Sequence, residues 1–116
     1  MQWTMPTIIE LPEFLREARR LMDDSAIDDL KIFLSSHPYA GDLLTGTGGV
    51  RKLRWRASAD KGKSGGVQVI YFFYHQNSPL LLLSVYSKST KDNLSKKQLN
   101  SLKKITQKIR SIRSPS

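Results

Sequence analysis

The chain has 116 residues, 39% of them hydrophobic and 9% aromatic, with a net charge of +9 and no cysteine. That is enough for one hydrophobic core but not two, and it excludes global disorder, a disulfide framework, a thiolate nucleophile and a Cys-ligated zinc. No apolar run approaches the roughly 20 residues of a membrane-crossing helix, and the N-terminus lacks the pattern of a secretion signal, so one cytoplasmic domain spanning 1–116 is expected.

Charge is divided unevenly along the chain. Residues 1–40 hold seven acidic and four basic side chains, whereas the remainder holds fifteen basic and three acidic, a change from −3 to +12. Such a split fits a polyanionic partner for the second part and a solvated structural role for the first.

In chain order, residues 7–11 read as a short strand, and Pro12 suits the first position of a helix, where its missing N–H costs no hydrogen bond. Phe14, Ala18, Leu21 and Met22 recur at helical spacing. Asp24 and Ser25 interrupt that helix. Ser25 with Asp28 offers a capping-box-like start to a second, whose stripe is Ile27, Leu30, Phe33 and Leu34 and whose end is Pro38. Residues 50–57 read as a strand, with Val50, Leu53 and Trp55 set against the cationic Arg51, Lys52, Arg54 and Arg56. Glycine-bearing segments at 46–49 and 58–66 flank it and permit close backbone approach to another molecule. Strands at 67–75 and 80–86, joined by a turn at 76–79, make antiparallel neighbours. Phe73 and Tyr74 point to opposite faces, so at least one of them belongs to the core.

Ser95 and Gln98 form a further capping box. The helix they open turns Leu99, Leu102, Ile105, Ile109 and Ile112 inward and presents Lys96, Lys97, Lys103, Lys104 and Lys108 on a face read as solvated. The class is α+β: an N-terminal strand at the sheet edge, two helices, an antiparallel meander and a C-terminal helix.

Several chemistries are excluded. Gly62-Lys63-Ser64 resembles the end of a phosphate-binding P-loop, but that motif requires glycine at Ala57 and a following helix, whereas a strand follows. His37 and His75 are too few and too far apart to hold a metal. No serine lies in a nucleophile elbow, and the acidic residues cluster in the helical N-terminal part, away from any glycosidase-like pairing. Lysine and arginine chemistry remains. RNA can be cut without a metal when its own 2′-hydroxyl attacks the phosphate and cations stabilise the developing charge. Lys52 and Arg54, two residues apart on one strand, can grip a single phosphate. Arg51, Arg56, Lys61 and Lys63 extend the basic surface for RNA binding, and Tyr71 or Tyr86 can stack on an unpaired base.

The segments Gly46-Thr-Gly-Gly-Val-Arg-Lys-Leu-Arg, Lys61-Gly-Lys-Ser-Gly-Gly-Val-Gln-Val-Ile-Tyr, Leu82-Leu-Ser-Val-Tyr-Ser-Lys and Asp92-Asn-Leu-Ser occur in an order that resembles the RelE/HigB-like toxins of type II toxin-antitoxin modules. The likeness covers roughly residues 37–105. It implies a small α+β toxin that cuts mRNA in the ribosomal A site without metal or cofactor. Its partners would be the ribosome, mRNA and a cognate antitoxin, often of helix-turn-helix type. The resemblance puts Lys52, Arg54 and Lys88 at cationic catalytic positions and Gln68 where an arginine usually contacts the scissile phosphate. Ser89 and Thr90 stand where an Asn-Glu pair is common. These departures leave the alternative of a catalytically weakened RNA or ribosome binder, and the versatility of related toxin scaffolds leaves that of a ParE-like poison of a protein target such as a topoisomerase. Cations clustered with Tyr71, Tyr74 and Tyr86 on one sheet face would favour RNA, and an exposed apolar groove there would favour a protein.

Overall fold

A computed structural model describes residues 5–58, 66–75, 77–87 and 94–113. In chain order they form β1 (Ile8–Glu10), α1 (Pro12–Leu21), α2 (Asp24–Ser36), β2 (Asp42–Leu43), β3 (Val50–Trp55), β4 (Val67–Phe73), β5 (Leu80–Ser87) and α3 (Lys96–Arg113). The strands make one sheet in the order β1-β5-β4-β3-β2. β1 joins its edge parallel to β5, and the other neighbours are antiparallel. The two-residue β2 is an element that sequence reading does not anticipate. No helix among the described residues is long and apolar enough to cross a membrane.

Local chemistry sets the helix boundaries. Pro12 opens α1 as expected. The start of α2 differs from expectation: Asp23, not Ser25, is the N-cap, its side chain accepting from the Ala26 N–H at 2.8 Å. A carboxylate there satisfies an otherwise unpaired donor and meets the positive end of the helix dipole. The capping box of α3 is reciprocal as read, with Gln98 N–H donating to Ser95 Oγ at 3.1 Å and Ser95 N–H donating to Gln98 Oε1 at 2.8 Å.

The sheet is covered on both faces. Phe14, Ala18 and Met22 from the α1 region and Ala26, Leu30 and Leu34 from α2 pack on Val67, Val69, Tyr71, Phe73, Leu80, Leu82 and Val85. On the opposite face, Leu94, Leu102 and Ile109 pack on Val50, Ile70, Phe72 and Leu83. β4 is buried along its whole length, which is why it reads as an almost unbroken apolar run.

The inward stripe of α3 needs correction. Ile105 and Ile112 are 41% and 75% exposed, while Thr106 is fully buried. Its hydroxyl donates to the Thr47 carbonyl at 2.6 Å, and Arg110 donates to the Gly48 carbonyl at 2.6 Å while lying 4.4 Å from the centre of the Tyr74 ring. Gly48 has φ +78°, and a methyl group there would lie 2.7 Å from Thr106 Oγ1. The glycine turn before β3 therefore approaches the chain's own C-terminal helix.

Candidate nucleic-acid interface

The register of β3 sorts its basic side chains into two groups. Side chains alternate across a strand, and Leu53 and Trp55 pack toward α1 and α2 while Val50 packs toward α3. Arg51 accordingly shares the α1/α2 side, and Lys52 and Arg54 share the α3 side. The expected single cationic face is thus really a pair.

Arg51 serves the frame. Its guanidinium donates to the carbonyls of Tyr39 and Gly41 at 3.0 and 2.8 Å and lies 5.1 Å from the Tyr39 ring centre. Arg56, just past the strand, pairs with Asp29 of α2 and lies 5.4 Å from the Trp55 ring centre. Sequence reading assigns both to RNA binding, and in the structure both tie the sheet to neighbouring segments. By contrast, among the described residues neither Lys52 nor Arg54 makes an ion pair, although Asp42 of β2 stands opposite Lys52 in the sheet.

Two cross-strand rows complete the site. Arg54 stands opposite Gln68, which stands opposite Tyr86; Lys52 stands opposite Ile70, which stands opposite Ser84. Gln68 is only 5% exposed, so its amide sits in the sheet floor between the exposed Arg54 and the half-buried Tyr86. Gly66, at the entry to β4, would place a methyl 3.9 Å from Arg54 Nε, so backbone lies close beside the guanidinium.

Tyr86 reaches this face because of an irregularity. Leu80 and Leu82 point toward α1 and α2, and strict alternation would send Tyr86 the same way. The register shifts between Ile70 and Tyr71, where Ser84 pairs with the first and Leu82 with the second, leaving Leu83 extra. This bulge inverts the phase of the strand and turns Ser84 and Tyr86 toward Lys52 and Arg54. Bulges commonly re-aim side chains in this way. Sequence reading does not anticipate Ser84, because the bulge carries no glycine to mark it.

Tyr71 does not present a stacking surface. It is fully buried on the α1/α2 side, its hydroxyl donating to the Pro38 carbonyl at 2.9 Å and accepting from the Gly41 N–H at 2.8 Å. Burial pushes the phenol above its ordinary pKa, against the opposing influence of the Gly41 hydrogen bond and the Arg51 charge. Tyr74 lies on the α3 side, where Arg110 covers its ring. Of the three tyrosines, Tyr74 and Tyr86 share the sheet side of the cationic pair, and Tyr86 lies in register with Arg54 through Gln68. Lys61, Lys63, Lys88, Ser89 and Thr90 lie outside the described residues.

A mixed groove also runs between the start of α1 and α3, lined by Leu11, Leu83, Ser84, Leu94, Leu102 and Ile105 among others. Ser84 is its point of contact with the two rows.

A solved structure of a free, doubly arginine-to-alanine substituted E. coli toxin RelE is similar to this chain, with 15% identity, a TM-score of 0.58, and coverage of 89% of this chain and 98% of that one. At such identity the likeness concerns the fold: the chain has a RelE-like α+β architecture. No protein-family model matches the sequence.

Proposed function

We propose that this chain is the toxin of a toxin-antitoxin module and cleaves mRNA on the ribosome. The observation that carries the reading is the Lys52–Arg54 couple on the α3 side of β3, in register with Gln68 and Tyr86 and making no ion pair among the described residues. The RelE-like fold supports the same class of activity.

In this reading the 2′-oxygen of one nucleotide attacks the adjacent phosphorus, the bond to the 5′-oxygen breaks, and the products are a cyclic phosphate and a free 5′-hydroxyl. One proton leaves the attacking oxygen and one reaches the departing oxygen. Arg54, permanently charged, stabilises the negative phosphorane, and Lys52 can carry a proton. Gln68 offers a neutral amide to a phosphate oxygen, weaker than the arginine that the family places there. Lys88 follows Tyr86 and, on the resemblance, adds a further cation. The ribosome aligns the RNA and so supplies much of the rate. A cognate antitoxin, expected to carry a helix-turn-helix domain, holds the toxin in check.

Mapping transcript 5′ ends after induction tests this. Cuts confined to translated messages are expected, and intact messages alongside arrested growth would defeat the proposal. The groove beside Ser84 is the feature that favours the alternative of a protein target. Substitutions at Leu94 or Leu102 that abolish toxicity while cleavage persists would support that alternative.

A further inference from the structure

Over its 18 residues α3 carries seven lysines and arginines and no carboxylate. Lys96, Lys97, Lys103, Lys104 and Lys108 are all exposed. Among the described residues, the ion pairs draw their acids from Glu10, Glu17 and Asp29, on β1, α1 and α2, and none involves α3. An ordinary solvated helix face mixes signs, whereas Lys104 and Lys108 stand four residues apart, where like charges repel. That repulsion is uncompensated within the described chain.

Helical geometry orders these cations. At about 100° per residue, Lys97, Lys104 and Lys108 fall in one row opposite the buried side, extending about 16 Å along the axis. Lys96 and Lys103 fall on the flank shared with Thr106 and Arg110. These two residues bind Thr47 and Gly48, so that flank faces the turn leading into β3. The Lys96 and Lys103 flank therefore borders the turn that leads into β3, and the row of Lys97, Lys104 and Lys108 faces away from the sheet.

The absence of other groups narrows the partner. No aromatic residue follows Tyr86, and single strands are held largely by stacking on aromatic rings. Lysines alone contact phosphates irrespective of base. A helix lying on a membrane buries its apolar face there, but Leu102 and Ile109 already pack on the sheet.

We propose that the outer face of α3 docks on the phosphate backbone of a double-helical RNA and so positions the chain while Lys52 and Arg54 act on a single strand. This rests on the reading that the protein acts on RNA. The test is fluorescence anisotropy of the full chain with a labelled RNA duplex over a range of salt. The triple variant Lys97→Gln, Lys104→Gln, Lys108→Gln keeps helix propensity, and a thermal transition checks that it folds. Its salt slope should fall by about 2 to 3, close to one for each phosphate that a lysine no longer neutralises. Arg16→Gln, Arg19→Gln, Arg20→Gln removes equal charge from α1 and should leave the slope unchanged.

Equal decreases in both variants, or an unchanged slope in the α3 variant, would overturn the proposal. So would lysine-dependent binding to phosphatidylserine vesicles without lysine-dependent binding to the duplex. Lys52→Ala with Arg54→Ala should retain duplex binding. If translated messages stay intact in cells but the slope change is found, the docking surface stands and the nuclease reading falls. If messages are cut but the slope does not change, the reverse holds.

Discussion

Arg51 and Lys52 are consecutive in the chain, yet one pleat of β3 gives them opposite surroundings. Arg51 donates to two backbone carbonyls beside the loop after α2, and Arg56 pairs with Asp29. Lys52 and Arg54 stand on the other side and make no ion pair among the described residues. The difference teaches that a count of basic residues measures neither stability nor binding. A cation whose hydrogen bonds end on the protein supports the frame, and one left unpaired is available to a phosphate.

The largest effect should come from exchanging these fates. Lys52→Ala or Arg54→Ala should lower RNA cleavage on the order of 100-fold or more, the usual cost of removing one preorganised charge-stabilising group. The melting temperature should barely move, because surface charges that make no ion pair contribute within about 0.5 kcal/mol. Arg51→Ala should do the converse: it removes charge-assisted bonds to two carbonyls, costs about 1.5 to 3 kcal/mol, and spares activity per folded molecule. Cleavage assays and thermal melts on the three variants check the pattern. Full activity in both Lys52→Ala and Arg54→Ala would remove β3 from the catalytic site.

The joint between β3 and α3 sharpens the comparison from the structural side. Gly48→Ala meets a positive φ and a 2.7 Å approach to Thr106 Oγ1, which together should cost about 1 to 3 kcal/mol. In a chain of this size that lowers the melting temperature by several degrees. An unaltered melt would mean that the turn and α3 can separate freely.

Much of this architecture was legible because periodicity and capping are local. The apolar stripes of α1 and α2, the Ser95–Gln98 box and the i, i+2 spacing of Lys52 and Arg54 all follow from neighbours in sequence. The face of Tyr86 depends instead on the bulge at Leu83, a property of how β5 pairs with β4. Burial of Thr106 depends on a carbonyl 59 residues away. Tyr71 reads as available because its hydroxyl partners lie in the loop after α2, some 30 residues upstream. β2 spans only Asp42 and Leu43, too short to show any alternation.

Tyr71→Phe tests the buried side of the sheet. It strips the partner from the Gly41 N–H and the Pro38 carbonyl, at about 1 to 3 kcal/mol, while leaving cleavage per folded molecule intact. It should also change the alkaline limb of stability. The folded phenol has a raised pKa, so its neutral form is favoured in the native state, and the associated stability is present below the unfolded value of about 10 and lost as pH rises through the folded one. The phenylalanine variant should lack that loss. Identical melts against pH for the two proteins would mean that Tyr71 ionises freely in the fold.

The smallest change, and the one aimed most directly at the site, is Gln68→Arg. Gln68 lies between Arg54 and Tyr86, 5% exposed, and its amide ends in the sheet floor. An arginine there has a longer stem and can carry its charge past that floor toward a phosphate held by Arg54. Repulsion from Arg54 opposes it in the free protein and is relieved once a doubly contacted phosphate is bound. The net expectation is a rise in cleavage of several-fold, up to about tenfold if roughly 1.4 kcal/mol of transition-state stabilisation is recovered, with a small fall in melting temperature from the added charge. Single-turnover cleavage on programmed ribosomes reads the first, and a thermal melt the second. A lower rate in a stably folded variant would show that the neutral amide contacts the RNA through both its donor and its acceptor, a role arginine cannot fill.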